Sequence, residues 1–191
     1  MSVVHSSFDV KFWIESPPGV DEVRPSRCPD CGVASRSVGE AMVVVGHGKR
    51  ERGVAWLKGP DEVVEWVTFF VRRFLCLACK TTITVLPKDL SPWRRYSLCT
   101  ITVALALWSM GAQSAQTVRD GLLGDQLSFE AGWPVLRSWA RAVEFSHLAV
   151  GDGPPKRRAA WITQRIAGRA PPEKRRLSIV DQAFFGAAYV M

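Results

Sequence analysis

The sequence predicts an α+β protein in which a β-rich, cysteine-containing region precedes three helices and a basic helical tail. Two Cys-x-x-Cys pairs, at residues 28–31 and 76–79, are flanked by runs of apolar residues typical of strands. After Ser97 the apolar period becomes that of a helix. Two basic clusters near the C terminus flank a further helical segment. The predicted domains are residues 1–92, 93–147 and 148–191.

The N-terminal segment alternates between apolar and polar residues, which predicts a half-buried strand over residues 7–14. Pro17-Pro18-Gly19 would end this strand. The segment contains Asp9 and Lys11 and lacks the long apolar core of a signal peptide. We therefore expect a cytoplasmic protein.

The cysteine pairs predict a structural zinc site. A tetrahedral zinc takes four ligands, with thiolate sulfurs at about 2.3 Å, and each Cys-x-x-Cys turn can supply two. Gly32 follows the first pair and permits the positive φ that such a turn usually needs. Strand-like residues 71–75 and 81–86 surround the second pair and predict the hairpin of a zinc ribbon. The predicted ligands of one Zn²⁺ are Cys28, Cys31, Cys76 and Cys79.

The spacer between the two pairs must contain structure of its own. It is 44 residues long, whereas a compact ribbon has about 15–20. Residues 41–45 and 63–70 are predicted strands, and residues 46–50, which include His47, Lys49 and Arg50, a basic turn.

Two other interpretations of the cysteines remain open. A redox dithiol requires its first cysteine at a helix N-terminus, and residues 32–35 have no helical period. Structural disulfides are rare in cytosolic proteins. The fifth cysteine, Cys99, lies in an apolar segment and is expected to be a buried thiol.

The charge of the chain favours an anionic partner. The formal net charge is +7 and the pI about 9.5. Residues 24–95 and residues 153–191 each carry a net charge of +6, whereas residues 96–152 carry −2. Within the uncharged stretch 96–118, the apolar run Leu98–Trp108 is shorter than the roughly 20 residues of a membrane span. A buried helix is therefore predicted, and no membrane is expected as a partner.

Three short helices are predicted in the middle of the chain. The first runs from Leu98 and stops at Gly111, and the second is Ala115–Leu123, between Ser114 as its N-cap and Gly124. The third is predicted over residues 134–143.

The third predicted helix has two distinct faces. Its apolar stripe is Leu136, Trp139, Ala140 and Val143, and its other face carries Arg137, Ser138 and Arg141. Three helices in this order predict a helix-turn-helix-like unit whose third helix contacts DNA. Any small helical bundle has the same periods, however, and the net negative charge of the region opposes tight DNA binding.

The tail combines basic and apolar segments. Its basic clusters, residues 156–158 and 174–176, flank a predicted helix over residues 159–167. Such clusters either contact phosphates without regard to sequence or form a solvated surface. Residues 179–191 are apolar and are expected to dock on a core or a partner.

Part of the chain resembles a known group of proteins. The segments Arg73-Phe74-Leu75-Cys76-Leu77-Ala78-Cys79 and Thr82-Ile83-Thr84-Val85-Leu86-Pro87, followed by Pro92 and Tyr96, resemble bacterial zinc-ribbon proteins similar to the N-terminal modules of insertion-sequence transposases. In those modules two Cys-x-x-Cys pairs with an intervening basic turn precede a helix-turn-helix. The resemblance covers residues 24–145 and implies the DNA-binding part of a transposase without its catalytic part.

The sequence favours a binding protein over an enzyme. It contains no GxxxxGK[ST], GxSxG or HExxH motif. The residues outside the resemblance are too few for a transposase catalytic domain of about 100–150 residues. We expect a zinc-dependent protein that binds double-stranded DNA, either transposon-associated or regulatory. The alternative is an adaptor that docks on a separately encoded transposase or another nucleic-acid enzyme. The predicted DNA-binding residues are His47, Lys49, Arg50, Arg137, Ser138, Arg141, Lys156, Arg157, Arg158, Lys174, Arg175 and Arg176.

Overall fold

A computed structural model describes residues 1–36, 39–124, 133–142, 145, 148 and 151–189. These residues form a mixed α+β fold with a four-stranded sheet and six α-helices, which confirms the predicted class. The strands are β1 (Ser2–His5), β2 (Val44–Trp56), β3 (Glu65–Cys76) and β4 (Thr82–Leu86). The helices are α1 (Val10–Glu15), α2 (Leu98–Ser109), α3 (Ala115–Leu123), α4 (Val135–Trp139), α5 (Pro155–Ala167) and α6 (Ile179–Ala187).

The chain divides into two compact units. The first, here the sheet unit, comprises Met1–Val54 and Val67–Arg94, and the second, the helical unit, comprises Ala55–Trp66 and Arg95–Met191. The first predicted boundary, at 92/93, lies close to this division. The second, at 147/148, has no counterpart in it, because α5 and α6 both pack against α2.

The sheet has the strand order β1-β4-β3-β2, so β1 and β2 are its edge strands. β1 pairs in parallel with β4, with Ser2 opposite Ile83, whereas β3 and β4 are antiparallel, with Phe74 opposite Ile83. Phe74 and Ile83 are both fully buried. The predicted hairpin around the second cysteine pair is thus present.

The predicted strand over residues 7–14 is wrong, because α1 occupies most of this segment. Asp9 caps the helix by accepting the Phe12 N–H at 2.9 Å, and the buried Asp89 accepts the Val10 N–H at 2.8 Å. These carboxylates satisfy two of the N–H groups that a helix leaves without an internal partner. Asp89 is distant in sequence, so a local pattern of alternation could not reveal its contribution.

The predicted turn over residues 46–50 is also wrong. β2 begins at Val44 and continues through His47 and Arg50 as far as Trp56, beside β3. Glycines suggested a turn, but Gly48 has a φ of 88° inside the strand, a conformation that costs glycine little. Pairing with β3 therefore prevails over the local turn signal. The expectation that the spacer contains strands is confirmed by β2 and β3.

Short-range signals located the first two helices of the helical unit correctly. Ser97 caps α2 by accepting the Thr100 N–H at 3.2 Å, and Ser114 caps α3 by accepting the Thr117 N–H at 3.0 Å. Gly124 ends α3 with a φ of 57°. Nine consecutive residues of α2, Leu98–Ala106, are buried. Among the described residues, no helix has both the length and the apolarity to cross a membrane.

The remaining helices complete this unit. α4 is shorter than predicted, since its helical residues end at Trp139; the predicted Val143 lies outside the described residues. α5 begins at Pro155, so its first turn contains residues 156–158. α6 approaches α5 so closely that a Cβ on Gly186 would lie 2.0 Å from the Ile166 carbonyl oxygen. The apolar segment that forms α6 therefore docks on the core of its own unit. Docking on a core was one of the two outcomes expected for this segment.

Candidate metal centre

Four cysteine sulfurs form a compact cluster in the sheet unit. The Sγ atoms of Cys28, Cys31, Cys76 and Cys79 all lie within 4.8 Å of one another. The Cys28–Cys79 and Cys31–Cys76 sulfur pairs are each 3.7 Å apart. A tetrahedron with metal–sulfur bonds of about 2.3 Å has sulfur–sulfur edges of about 3.8 Å. The cluster therefore has the size of a four-thiolate metal site.

Two turns with the same hydrogen-bond pattern present these sulfurs. In the first turn the Cys28 N–H donates to the Val33 carbonyl at 2.9 Å, and in the second the Cys76 N–H donates to the Thr81 carbonyl at 3.0 Å. The residue after each pair also donates to the first cysteine: Gly32 to Cys28 at 3.0 Å and Lys80 to Cys76 at 2.8 Å. Each turn thus aims two sulfurs at a common point.

Backbone hydrogen bonds connect the two turns through Val43. The Leu77 N–H donates to the Val43 carbonyl at 2.8 Å, and the Val43 N–H donates to the Ser35 carbonyl at 2.9 Å. Asp30, inside the first turn, accepts the hydroxyls of Ser2 and Thr81. Strand β1 and both turns are therefore connected by hydrogen bonds around the sulfurs.

The thiols have unequal proton affinities. Hydrogen bonds from the hydroxyl and the backbone N–H of Thr81 lower the pKa of Cys79 to about 6. The Val33 backbone lowers the pKa of Cys31, but desolvation and hydrogen bonds with the other three thiols outweigh it and raise that pKa to about 12. Four thiolates at this separation require a cation to balance their charge.

This geometry fits one metal ion, as predicted. Zinc accepts four thiolates in a tetrahedron, and such closed sites are structural because no position remains for a substrate. The sulfur separations of 3.7 Å are far longer than a disulfide bond of about 2.05 Å. Neither turn begins a helix, so the feature that activates a redox dithiol is missing from these two turns. Cys99 is buried in α2, as expected.

Predicted DNA-contacting residues occur in both units. In the sheet unit, His47, Lys49 and Arg50 are exposed along the edge strand β2. In the helical unit, Arg137 and Ser138 are exposed on α4, whose Leu136 and Trp139 are buried, and Arg141 is exposed two residues beyond its last residue. The predicted division of α4 into an apolar and a polar face is therefore present.

The two basic clusters of the tail are partly used for internal contacts. Lys156 and Arg157 are exposed, but Arg158 is half-buried. Lys174 lies with its ammonium 4.8 Å from the centre of the Phe185 ring, and Arg175 donates to the Ala170 carbonyl at 3.1 Å. Arg176 is exposed. The second cluster therefore contributes to the docking of α6 as well as to surface charge.

Comparisons of the chain with protein-family models, curated proteins and solved structures find no match. The resemblance to transposase modules accordingly remains a prediction from the residues.

Two features of the site were not predicted from the sequence. Lys80 adopts a φ of 62° at the position where the first turn has Gly32 with a φ of 73°. Asp30 links the turns through Ser2 and Thr81. The doubled Cys-x-x-Cys spacing could have suggested the first feature, since both turns need the same backbone path.

Proposed function

We propose that the protein is a zinc-dependent DNA-binding protein without its own catalytic domain, either transposon-associated or regulatory. Zinc would fix the two cysteine turns relative to each other and so complete the sheet unit. The DNA-binding part of the proposal rests mainly on one observation: the end of α4 and the start of α5, which both carry exposed cations, are in contact.

A single side chain brings these two helix ends together. Arg158 donates from Nε to the Ala140 carbonyl at 3.1 Å and from Nη1 to the Gly151 carbonyl at 3.0 Å. Its first contact holds the first turn of α5 against the end of α4. The exposed cations on these two segments, which we call the basic corner, are Arg137, Arg141, Lys156 and Arg157.

The basic residues in the first turn of α5 destabilise that helix. Its first turn contains three basic residues and no acidic one, and Pro154 provides no side-chain cap. The helix macrodipole disfavours positive charge at an N-terminus. Binding of a phosphate would offset this cost, because free N–H groups and cations then face the same anion. The charge arrangement therefore supports a nucleic-acid partner.

The packing of α2, α3 and α4 also agrees with a helix-turn-helix-like arrangement. α3 and α4 each pack against the buried α2. In this proposal α4 and the turn that follows it present Arg137, Ser138 and Arg141 to base edges, and Lys156 and Arg157 contact phosphates. His47, Lys49 and Arg50 would contact DNA independently from the sheet unit. Because Lys174 and Arg175 have internal contacts, we expect their cluster to contribute less.

Fluorescence anisotropy with a labelled duplex across a salt series tests this proposal. Arg141→Ala should weaken duplex binding by about 1–3 kcal/mol if the side chain contacts a base. Lys156→Ala should lower the slope of log K against log salt by about 0.9 if it contacts a phosphate. The matched control is Arg165→Ala, which removes an exposed cation from the last turn of the same helix.

Two outcomes of these anisotropy measurements would count against duplex binding by the basic corner. Equal effects of Arg141→Ala and Arg165→Ala would show that the basic corner has no specific role. No duplex binding by the folded, zinc-loaded protein at low salt would contradict the proposal.

The adaptor function is a second proposal, supported by one observation. Trp93 in the sheet unit is 80% exposed, and large exposed aromatic side chains are enriched at protein interfaces. In that case the protein would co-purify with a transposase or another nucleic-acid enzyme, and Trp93→Ala would abolish the complex without affecting zinc content.

A further inference from the structure

A cleft of about 250 Å³ lies in the sheet unit, next to the end of α1 and strands β2 and β3. Trp13 and Phe69, whose buried rings are 6.2 Å apart between centroids, are among the residues beside it. Phe70, Thr68, Lys49 and Arg72 contribute to its other walls. Pockets for drug-sized ligands have volumes of about 300–1,000 Å³. The cleft is thus suited to one ring system rather than to a large cofactor.

Phe70 is the unusual member of this lining. It is 56% exposed, whereas its neighbours in β3, Phe69 and Val71, are buried. A strand places successive side chains on opposite faces, so the ring of Phe70 lies on the solvent side of β3. Its exposed surface can accept another flat ring.

Two cations line the same cleft as Phe70. The side chain of Lys49 is exposed and makes no hydrogen bond or ion pair with the residues that the structure describes. Arg72 is held in place because its Nε and Nη2 donate to the Pro18 carbonyl at 3.1 and 2.8 Å. None of the described residues lining the cleft is acidic. Glu15, at the end of α1, pairs with Lys11 at 4.0 Å.

We propose that this cleft binds single-stranded nucleic acid, with one unstacked base on Phe70 and an adjacent phosphate near Lys49 and Arg72. Proteins that bind single strands combine an aromatic platform with positive charge that follows the backbone. The cleft supplies both within one pocket, and the charge of its lining is complementary to a phosphate. A duplex does not fit this description, because its bases are already stacked on one another.

The proposal goes beyond duplex binding by the basic corner and uses none of its four residues; Lys49 is common to the cleft and to the duplex contacts proposed for the sheet unit. A protein with both surfaces could hold a duplex and a locally unpaired strand. Failure of one surface would leave the other measurable, because the test below compares a single strand with a duplex.

The experiment measures anisotropy of a labelled ten-residue oligothymidine and of a duplex of the same length, with the zinc-loaded full chain. Phe70→Ala should weaken single-strand binding by roughly 5- to 150-fold, which corresponds to the loss of one stacked base. Phe70→Trp should retain or strengthen this binding. Lys49→Ala should lower the salt slope for the single strand by about 0.7.

Two control variants separate the cleft from general surface effects. Trp93→Ala removes another exposed aromatic ring of the same unit, and Arg36→Ala removes another exposed cation; neither residue lines the cleft. Both should leave single-strand affinity within twofold of the wild type. Unchanged thermal unfolding of Phe70→Ala would show that its effect is not a loss of folding.

Several results would overturn the proposal. One is equal single-strand affinity of the wild type and Phe70→Ala, and another is an equal loss with Trp93→Ala. Competition by thymidine monophosphate at the affinity of the oligonucleotide would instead indicate a mononucleotide site. Absence of any single-strand binding at low salt would also contradict it, whether or not the duplex binds.

Discussion

The two cysteine turns have nearly identical hydrogen bonds but are flanked by different elements of structure. The second turn connects β3 and β4, so the sheet fixes the chain on both sides of it. The first lies outside the four strands, and an isolated bridge between Arg27 and Ala34 lies beside it. Its backbone path relies on Gly32, whereas the second turn forces Lys80 into the same region of φ.

This difference shows what each turn contributes to the site. The second turn is supported by strand pairing that does not involve the metal, and that support tolerates a strained residue. The first turn lies outside the strands and uses a glycine, which adopts a positive φ without strain. We infer that the second turn provides a prepared half-site and that metal binding orders the first turn onto it.

The largest expected effect is the loss of metal through a single ligand. Cys28→Ser should prevent stoichiometric zinc binding, because apparent binding energies of structural zinc sites are about 10–16 kcal/mol, comparable with the stability of a domain. Elemental analysis and circular dichroism of the purified protein measure zinc content and folding. Cys99→Ser is the matched control, since it removes a buried thiol outside the cluster, and it should retain one zinc per chain. Full zinc content in Cys28→Ser would refute the assigned ligand set.

Removal of the metal should affect the two turns unequally. After chelation, amide hydrogen exchange should accelerate more at Cys28 and Gly32 than at Phe74 and Ile83, because the latter belong to the β3–β4 ladder. Exchange followed by mass spectrometry of peptides from both regions provides the measurement. Equal acceleration in the two peptides would mean that neither half-site is prepared in advance.

Substitution of the residue that follows each cysteine pair should change the stability of the folded site in opposite directions. Gly32→Ala should weaken the site by about 1–2 kcal/mol, the cost of a side chain in the left-handed region. Space is not the reason, because no atom lies within 4 Å of the added Cβ. Lys80→Gly should strengthen the folded state by up to about 1 kcal/mol, reduced by the greater freedom of glycine when unfolded. Zinc competition with a chromogenic chelator measures both changes, and effects of the same sign would contradict the inferred strain.

The smallest expected effect concerns Asp30, which corresponds to Ala78 in the second turn. Asp30→Ala removes the acceptor of the Ser2 and Thr81 hydroxyls and makes the two turns alike at this position. Because Asp30 is fully exposed, we expect only a modest increase in the rate at which zinc passes to a chelator. Ser2→Ala should reproduce part of that increase. A larger effect than that of Gly32→Ala would show that Asp30 is essential for holding the turns together.

Local signals in the sequence predicted much of the site and some of the fold. The Cys-x-x-Cys spacing indicated all four clustered sulfurs, and Gly32 indicated the path of the first turn. The caps at Ser97 and Ser114 placed two helices, because a cap depends on residues within one turn. Each of these features is determined by neighbours in the chain.

The features that were missed depend on distant residues. α1 replaces a predicted strand, and Asp89 accepts a hydrogen bond from its first turn in addition to the local cap Asp9. The run from His47 to Arg50 forms part of β2 because β3 lies beside it. Arg158 belongs to a basic cluster in sequence but fixes α5 to Ala140. Apart from Asp9, none of these partners is within ten residues, so periodicity contained no information about them.

The position of Lys49 and Arg50 on an edge strand also has a consequence for the solubility of the protein. An edge strand exposes unpaired backbone groups that can pair with the edge of another copy, and natural sheets discourage this with charged side chains and local distortions. β2 has both, since Lys49, Arg50 and Glu51 are exposed and Gly48 has a positive φ within the strand. Neutralising these side chains would therefore be expected to reduce solubility.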